Sequence, residues 1–331
     1  MVSASRALVF TYERGDLIGG FATKIAAALS AQGIPVIARA NEARPDYFWH
    51  SAYRPNQWTP TIRPNQSVFY NLENTRIDPA QGETLLQTRH LEVDQRNGKL
   101  RIMHIPWALV AFEERYSKPH PRLLLRGPEF DARAVLQRKT RFCSFMASYC
   151  NYEKEYLQLY GAHLNGVKQE RTKFFEELNN TYKMVDALGR CHHNTEQPPK
   201  PAHAQADRWS VHDHSIYMMR PYKFAIVWEN MATPGYFTEK LFNAYLAETV
   251  PIYWGDPRVN ELVNTEAFIW CRPTEPWSKC IAQIKALDAN DELYMQMLSA
   301  PILKENVIPS WMNYGAIAAE LGCLWELKNS A

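Results

Sequence analysis

Residues 222–259 read YKFAIVWENMATPGYFTEKLFNAYLAETVPIYWGDPRV. An apolar run, Phe224 to Trp228, stops at a carboxylate and an amide, Glu229 and Asn230. After a short turn the chain restarts at Tyr236 with Thr238-Glu239-Lys240. The spacing predicts a buried strand over 224–228, a helix over 238–248 capped by Thr238, and a second strand over 250–254. Strand, helix and strand in this order make a βαβ unit, and open parallel sheets built from such units bind ligands at the carboxyl ends of their strands. Glu229 and Asn230 then sit on the binding rim.

Working outward, the same texture recurs near the N-terminus. Ala7 to Tyr12 reads as a strand, Ile18, Phe21, Ile25 and Leu29 fall at helical spacing, and Pro35 to Ala38 reads as a second strand. Between the two regions, Ser67 to Tyr70 and Leu100 to Ile105 have strand character. Residues 112–138, with Pro119, Pro121 and Pro128, read as an irregular connection. A strand at 141–149 is followed by a charge-laced helical stretch through Leu178, carrying Arg171, Phe174 and Phe175. The segment 192–208, rich in His and Pro, reads as an exposed, mobile loop, and Ser310 to Leu327 as a helix with Trp311, Ile317, Leu321 and Leu324 on one face. The expected fold class is α/β, with two facing Rossmann-like domains and a cleft between them. Domain boundaries are expected at residues 1–138, 139–308 and 309–331, the last a helix packed on the body, and two facing domains of this kind are a common layout for nucleotide-sugar transferases.

Composition narrows the function. Lys and Arg number 37 against 35 acidic residues, a formal net charge of +2 with no long block of either sign, so nucleic acid is not expected as a partner. No run of about 20 apolar residues occurs, so no transmembrane segment is expected, while peripheral membrane contact stays open. The six cysteines form no CxxC pair and show no metal-like spacing, which reads as six reduced thiols. No Gly-x-Gly-x-x-Gly follows the first strand, which excludes a nicotinamide dehydrogenase.

The motif itself asks for an anion. Lys240 in the first turn of a helix runs against the helix dipole, which makes sense if a pyrophosphate lies in front of it; otherwise it is a solvated surface lysine. Glu239 can hold ribose hydroxyls. Trp228 and Tyr236 can equally be core aromatics, and Arg171 can pair with Glu170 or Glu176 on a solvated helix.

YKFAIVWEN, followed by YFTEKLFNAYLAETVPIYWGDP, resembles the donor-binding signature of the α1,3-fucosyltransferases, glycosyltransferase family 10. In that family an aromatic-Glu-Asn is followed by Tyr-x-Thr-Glu-Lys and Val-Pro-x-x-x-Gly. Weaker agreement runs through RFCSFMASYCN, ERTKFFEELN and DALGRC to Tyr70-Asn-Leu-Glu-Asn and HLEVD. Trp228 departs from the Phe usual in the family.

The resemblance implies a GT-B, metal-independent enzyme. It would invert configuration as it moves L-fucose from GDP-fucose to a glycan hydroxyl, such as O3 of GlcNAc in a lactosamine-like acceptor. It further implies donor-binding roles for Arg171, Glu229, Asn230, Tyr236, Glu239 and Lys240, and a general base at Glu92, with Glu73 as runner-up. No metal site and no cofactor are expected, and no Asp-x-Asp pair is present. The expected location is the cytoplasm, peripheral on the inner membrane in one variant, or the Golgi lumen if an N-terminal anchor was removed. Alternatives are the same fold with another nucleotide sugar, or a non-catalytic glycan- or nucleotide-binding protein.

Overall fold

The computed structural model describes residues 8–12, 18–40, 47–51, 67–71, 84–87, 94–96, 100–104, 121–148, 150, 170–201, 210–230, 232 and 236–319. The chain divides into two compact units, residues 1–110 with 309–331, and residues 111–308.

The first unit is built on a seven-stranded sheet. Its strands are β1 (Leu8–Tyr12), β2 (Val36–Ala40), β3 (Tyr47–Ser51), β4 (Ser67–Asn71), β5 (Thr84–Gln87), β6 (Asp94–Arg96) and β7 (Leu100–His104). The order is β2-β1-β3-β4-β5-β7-β6, and every pairing is parallel except β6 with β7. Helix α1 (Ile18–Ala31) makes the β1-to-β2 crossover, and its Ile25, Ala26 and Leu29 are buried. Strands β3, β5 and β6 escaped the sequence reading; β6, Asp94-Gln95-Arg96, has no apolar residue for periodicity to register.

Two contacts tie the C-terminal segment to α1: the Gln32 amide donates to the Gly315 carbonyl at 2.6 Å, and Lys24 lies 5.1 Å from the Tyr314 ring. The helix expected over 310–327 is instead a 3-10 turn at Ser310–Met312, with a new helical start at 314. Asn313 explains the break, since its side chain accepts from the Gly315 N–H at 2.7 Å and caps the second helix. Leu321 and Leu324 lie outside the described residues.

The second unit carries the five-stranded, wholly parallel sheet that the opening stretch implies. Its strands are β8 (Arg141–Phe145), β9 (Val185–Ala187), β10 (Tyr222–Ile226), β11 (Val250–Tyr253) and β12 (Ile269–Trp270), in the order β9-β8-β10-β11-β12. Its helices among the described residues are α2 (Ala132–Gln137), α3 (Glu170–Thr181), α4 (Val211–Met219), α5 (Lys240–Leu246), α6 (Val259–Leu262), α7 (Trp277–Ala289) and α8 (Asp291–Ser299). Helix α2 interrupts the stretch read as an irregular connection. It starts because Asp131 caps it, accepting from the Ala134 N–H at 3.0 Å.

One core joins α3, α7 and α8 to Cys143, Phe145, Phe224, Ile226, Val250 and Ile252 of the sheet. Within it Phe174, Trp228 and Trp254 form a stack with centroid spacings of 4.3 and 5.1 Å, and Trp277 packs edge-on to Trp228. Trp228 is therefore a core aromatic. Its indole fills a layer between two other rings, where the extra area over phenylalanine adds contact.

The expectation of six reduced thiols needs correction. Cys150 is bonded to Cys191 and Cys271 to Cys280, and Cys143 is a buried free thiol. Separations of 41 and 9 residues carry no geometry by themselves. The sheet supplies it: Phe145 of β8 is the register partner of Ala187 of β9, so the loops leaving those two parallel strands emerge side by side. Cys323 lies outside the described residues.

Candidate functional site

In the second sheet the chain goes from β8 outward to β9, then returns to the other side of β8 as β10. Loops leaving β8 and β10 therefore diverge, and open α/β sheets hold ligands in the crevice at this reversal. A cavity of about 510 Å³ lies there, lined by residues 144–148 at and beyond the end of β8, Gly189 and Arg190 after β9, residues 226–228 and Asn230 at and beyond the end of β10, and Arg171, Glu239, Lys240 and Asn243. That volume suits a nucleotide-sized ligand.

The chemistry rests on a buried carboxylate. Glu229 has no exposed side-chain surface, and its backbone N–H donates to the Trp254 carbonyl at 2.8 Å, which holds the turn beside β11. Its Oε1 accepts from the Thr238 N–H at 2.8 Å, and its Oε2 accepts from the Thr238 hydroxyl and from Lys240 Nζ, both at 2.8 Å. Burial pushes the Glu229 carboxyl above its ordinary pKa, against the pull of Lys240. Burial alone would lower the Lys240 pKa, but the Glu229 and Glu239 carboxylates together outweigh it and the ammonium titrates above its ordinary range. The proton sits on Lys240, because three donated hydrogen bonds favour an ionised carboxylate. Lys240, with 27% of its side chain exposed, thus presents a fixed cation to the cavity.

This arrangement revises two details of the motif. Thr238 is not the helix cap: α5 starts at Lys240, Glu239 holds the cap position without a side-chain capping bond, and the Thr238 hydroxyl is committed to Glu229. The unfavourable place of Lys240 in the first turn is offset from below by Glu229, a partner nine residues before Thr238 that only the folded turn brings near.

A second set completes the wall. Arg171, at the start of α3, donates from its guanidinium to Asn230 Oδ1 at 2.9 Å, and Asn230 Nδ2 lies 3.4 Å from the Tyr236 hydroxyl. The structure thus brings Arg171, Glu229, Asn230, Tyr236, Glu239 and Lys240 together from four stretches of chain. Arg171, Asn230, Glu239 and Lys240 face the cavity, with Glu229 behind Lys240 and Tyr236 behind Asn230. Glu92 and Glu73 lie outside the described residues.

Arg190, Ser144 and Asn243 also line the cavity and were missed by the sequence reading. Ser144 had a signal: a small polar residue alternating with Cys143 and Phe145 in a buried strand. Arg190 had none beyond following a three-residue strand.

Residues 136–299 match the model of glycosyltransferase family 10 (fucosyltransferase), C-terminal region. The chain is 35% identical over 133 residues to GDP-fucose protein O-fucosyltransferase 3 of Xenopus laevis, covering 39% of this chain and 27% of the relative. To an alpha-(1,3)-fucosyltransferase of Helicobacter pylori it is 38% identical over 77 residues, covering 23% of this chain and 16% of the relative. The aligned region thus spans about a quarter or less of these curated relatives. A crystal structure of an alpha1,3-fucosyltransferase with GDP-fucose superposes with a TM-score of 0.61 at 19% identity, covering 97% of this chain and 92% of the other. The fold is accordingly GT-B.

Proposed function

With residues 136–299 belonging to the C-terminal domain of glycosyltransferase family 10, we propose that the chain is an inverting glycosyltransferase that moves L-fucose from GDP-fucose to an acceptor hydroxyl. The observation that carries this reading is the wall at the β8/β10 reversal. There Lys240, held by buried Glu229, and Arg171, held by Asn230, present two cations to one nucleotide-sized cavity. Glycosyl transfer passes through an oxocarbenium-like state in which the bond to the diphosphate breaks first, so negative charge grows on the leaving group. Fixed cations already aimed at that charge lower the barrier without reorganising. Side chains fill this role in the proposal, and no metal or other cofactor is invoked. Glu239 takes the ribose hydroxyls, and Asn230 and Tyr236 orient the donor. Glu92, or failing it Glu73, accepts the acceptor's proton.

Two acceptor classes are proposed. The first is O3 of GlcNAc in a lactosamine-like glycan. The second is a protein hydroxyl, favoured by the similarity to the Xenopus laevis protein. The two disulfides support a lumenal or otherwise oxidising location over the cytoplasm. The test is transfer from radiolabelled GDP-fucose to N-acetyllactosamine and to folded Ser/Thr-bearing protein domains, with linkage and anomeric configuration read by NMR. An α-fucoside on either acceptor supports the reading and selects the class. Transfer from a UDP-sugar in preference to GDP-fucose contradicts it.

A further inference from the structure

Lys240 is neutralised by Glu229 at 2.8 Å, and Glu239 brings a second carboxylate to the same wall. Arg171 then only balances Glu239. With these residues alone the wall carries no net charge toward an anionic donor, which is a poor design for holding a diphosphate whose charge increases during reaction.

Arg190 changes that balance. It lines the cavity, its side chain is exposed, and no hydrogen bond or ion pair involves its guanidinium among the described residues. Its backbone, by contrast, is fixed on both sides. Gly189 lies against the loop after β8 so closely that a Cβ there would be 2.3 Å from the Ala147 carbonyl oxygen. Cys191 donates its N–H to the Ala147 carbonyl at 3.0 Å and is bonded through sulfur to Cys150. Behind the bridge the Thr172 hydroxyl, next to Arg171, donates to the Cys150 carbonyl at 3.3 Å. The same staple therefore sets the spacing of Arg190 and Arg171.

We propose that Arg190 is a donor-binding residue, a third cation held in register by the Cys150–Cys191 bridge that contacts the diphosphate of the nucleotide sugar and gives the wall its net positive charge. This rests on the nucleotide-sugar reading above. Arginine suits the place, since its planar fork can engage two phosphate oxygens at once, and a fixed backbone reduces the ordering that binding requires.

The test is calorimetric titration of the oxidised chain and of Arg190→Gln and Arg190→Lys with GDP, GMP, guanosine and inorganic pyrophosphate. Arg190→Gln is expected to weaken GDP and pyrophosphate by about tenfold, the scale of one lost charge-assisted hydrogen bond. GMP should weaken less and guanosine not at all, and Arg190→Lys should recover part of the loss. In turnover, Arg190→Gln should raise KM for the donor more than it lowers kcat. Unchanged GDP and pyrophosphate affinity would show a merely solvated arginine and overturn the assignment. An equal loss for guanosine would show a collapsed wall and overturn it too. Should the wild-type chain prefer UDP to GDP, the GDP-fucose reading fails, while the pyrophosphate titration still decides the role of Arg190.

Discussion

Glu229→Gln is the perturbation whose consequence can be worked furthest. The native carboxylate is fully buried and accepts from the Thr238 N–H, the Thr238 hydroxyl and Lys240, each at 2.8 Å. Breaking a buried ion pair from one side costs about 3–5 kcal/mol, because the surviving charge is left uncompensated. Two features reduce that here. Lys240 keeps 27% of its side chain exposed and can hydrate, and the glutamine oxygen can still accept from the Thr238 N–H. A loss of about 2–3 kcal/mol is therefore expected. Urea unfolding followed by tryptophan fluorescence reads it, since stacked Trp228 and Trp254 flank the Glu229 turn and report on this unit. Lys240→Met provides the control. With no ammonium to leave stranded, the double variant should be more stable than the sum of single losses implies, by about 2 kcal/mol. A Glu229→Gln protein within 0.5 kcal/mol of wild type, or strictly additive losses, would refute a buried carboxylate that holds the cation in place; both thresholds are about the resolution of such cycles.

Three further outcomes are expected. A Cβ on Gly255 would meet Glu229 Cγ at 2.5 Å and the Tyr253 hydroxyl at 2.6 Å, so Gly255→Ala should destabilise by about 1–3 kcal/mol through overpacking and weaken GDP binding; unchanged GDP affinity in titration would contradict the coupling. The Cys150–Cys191 bridge closes 41 residues, worth about 4 kcal/mol in the chain-entropy model, so its selective removal in Cys150→Ala should lower the melting temperature and reduce GDP affinity; a melting temperature equal to wild type would be the contrary result. Burial pushes the Lys139 ammonium down to about 7, while it donates to the Arg220 and Ala247 carbonyls and to Thr249. Above pH 7 the folded chain has released a proton that the unfolded chain still binds. Stability relative to Lys139→Met should therefore rise from pH 7 to 9, by up to about 1.4 kcal/mol per pH unit, and a flat difference would show that the ammonium keeps its proton.

The opening stretch made the second sheet legible because its strand and helix periods alternate within 38 residues and its polar residues fall where strands end. It also singled out Glu229, Asn230, Glu239 and Lys240, since charged groups between buried segments demand partners. What it could not supply was pairing across the fold. That Glu229 serves Lys240 rather than a ligand, that Asn230 receives Arg171 from 59 residues away, and that Cys150 meets Cys191 are consequences of strand order. Strand order is not written in local periodicity. Nor does local sequence show that the Lys240 amine is already balanced by Glu229.

The most direct measurement is the affinity of the wild-type chain and of Arg171→Gln/Lys240→Met for GDP-fucose, by calorimetry in buffer containing EDTA. Binding by the wild type that falls at least about 100-fold in the double variant, as expected when two charge-assisted contacts are lost, is the predicted result. Undiminished binding by the double variant, or wild-type binding that disappears in EDTA, would contradict a cavity that meets the donor's diphosphate with side-chain cations.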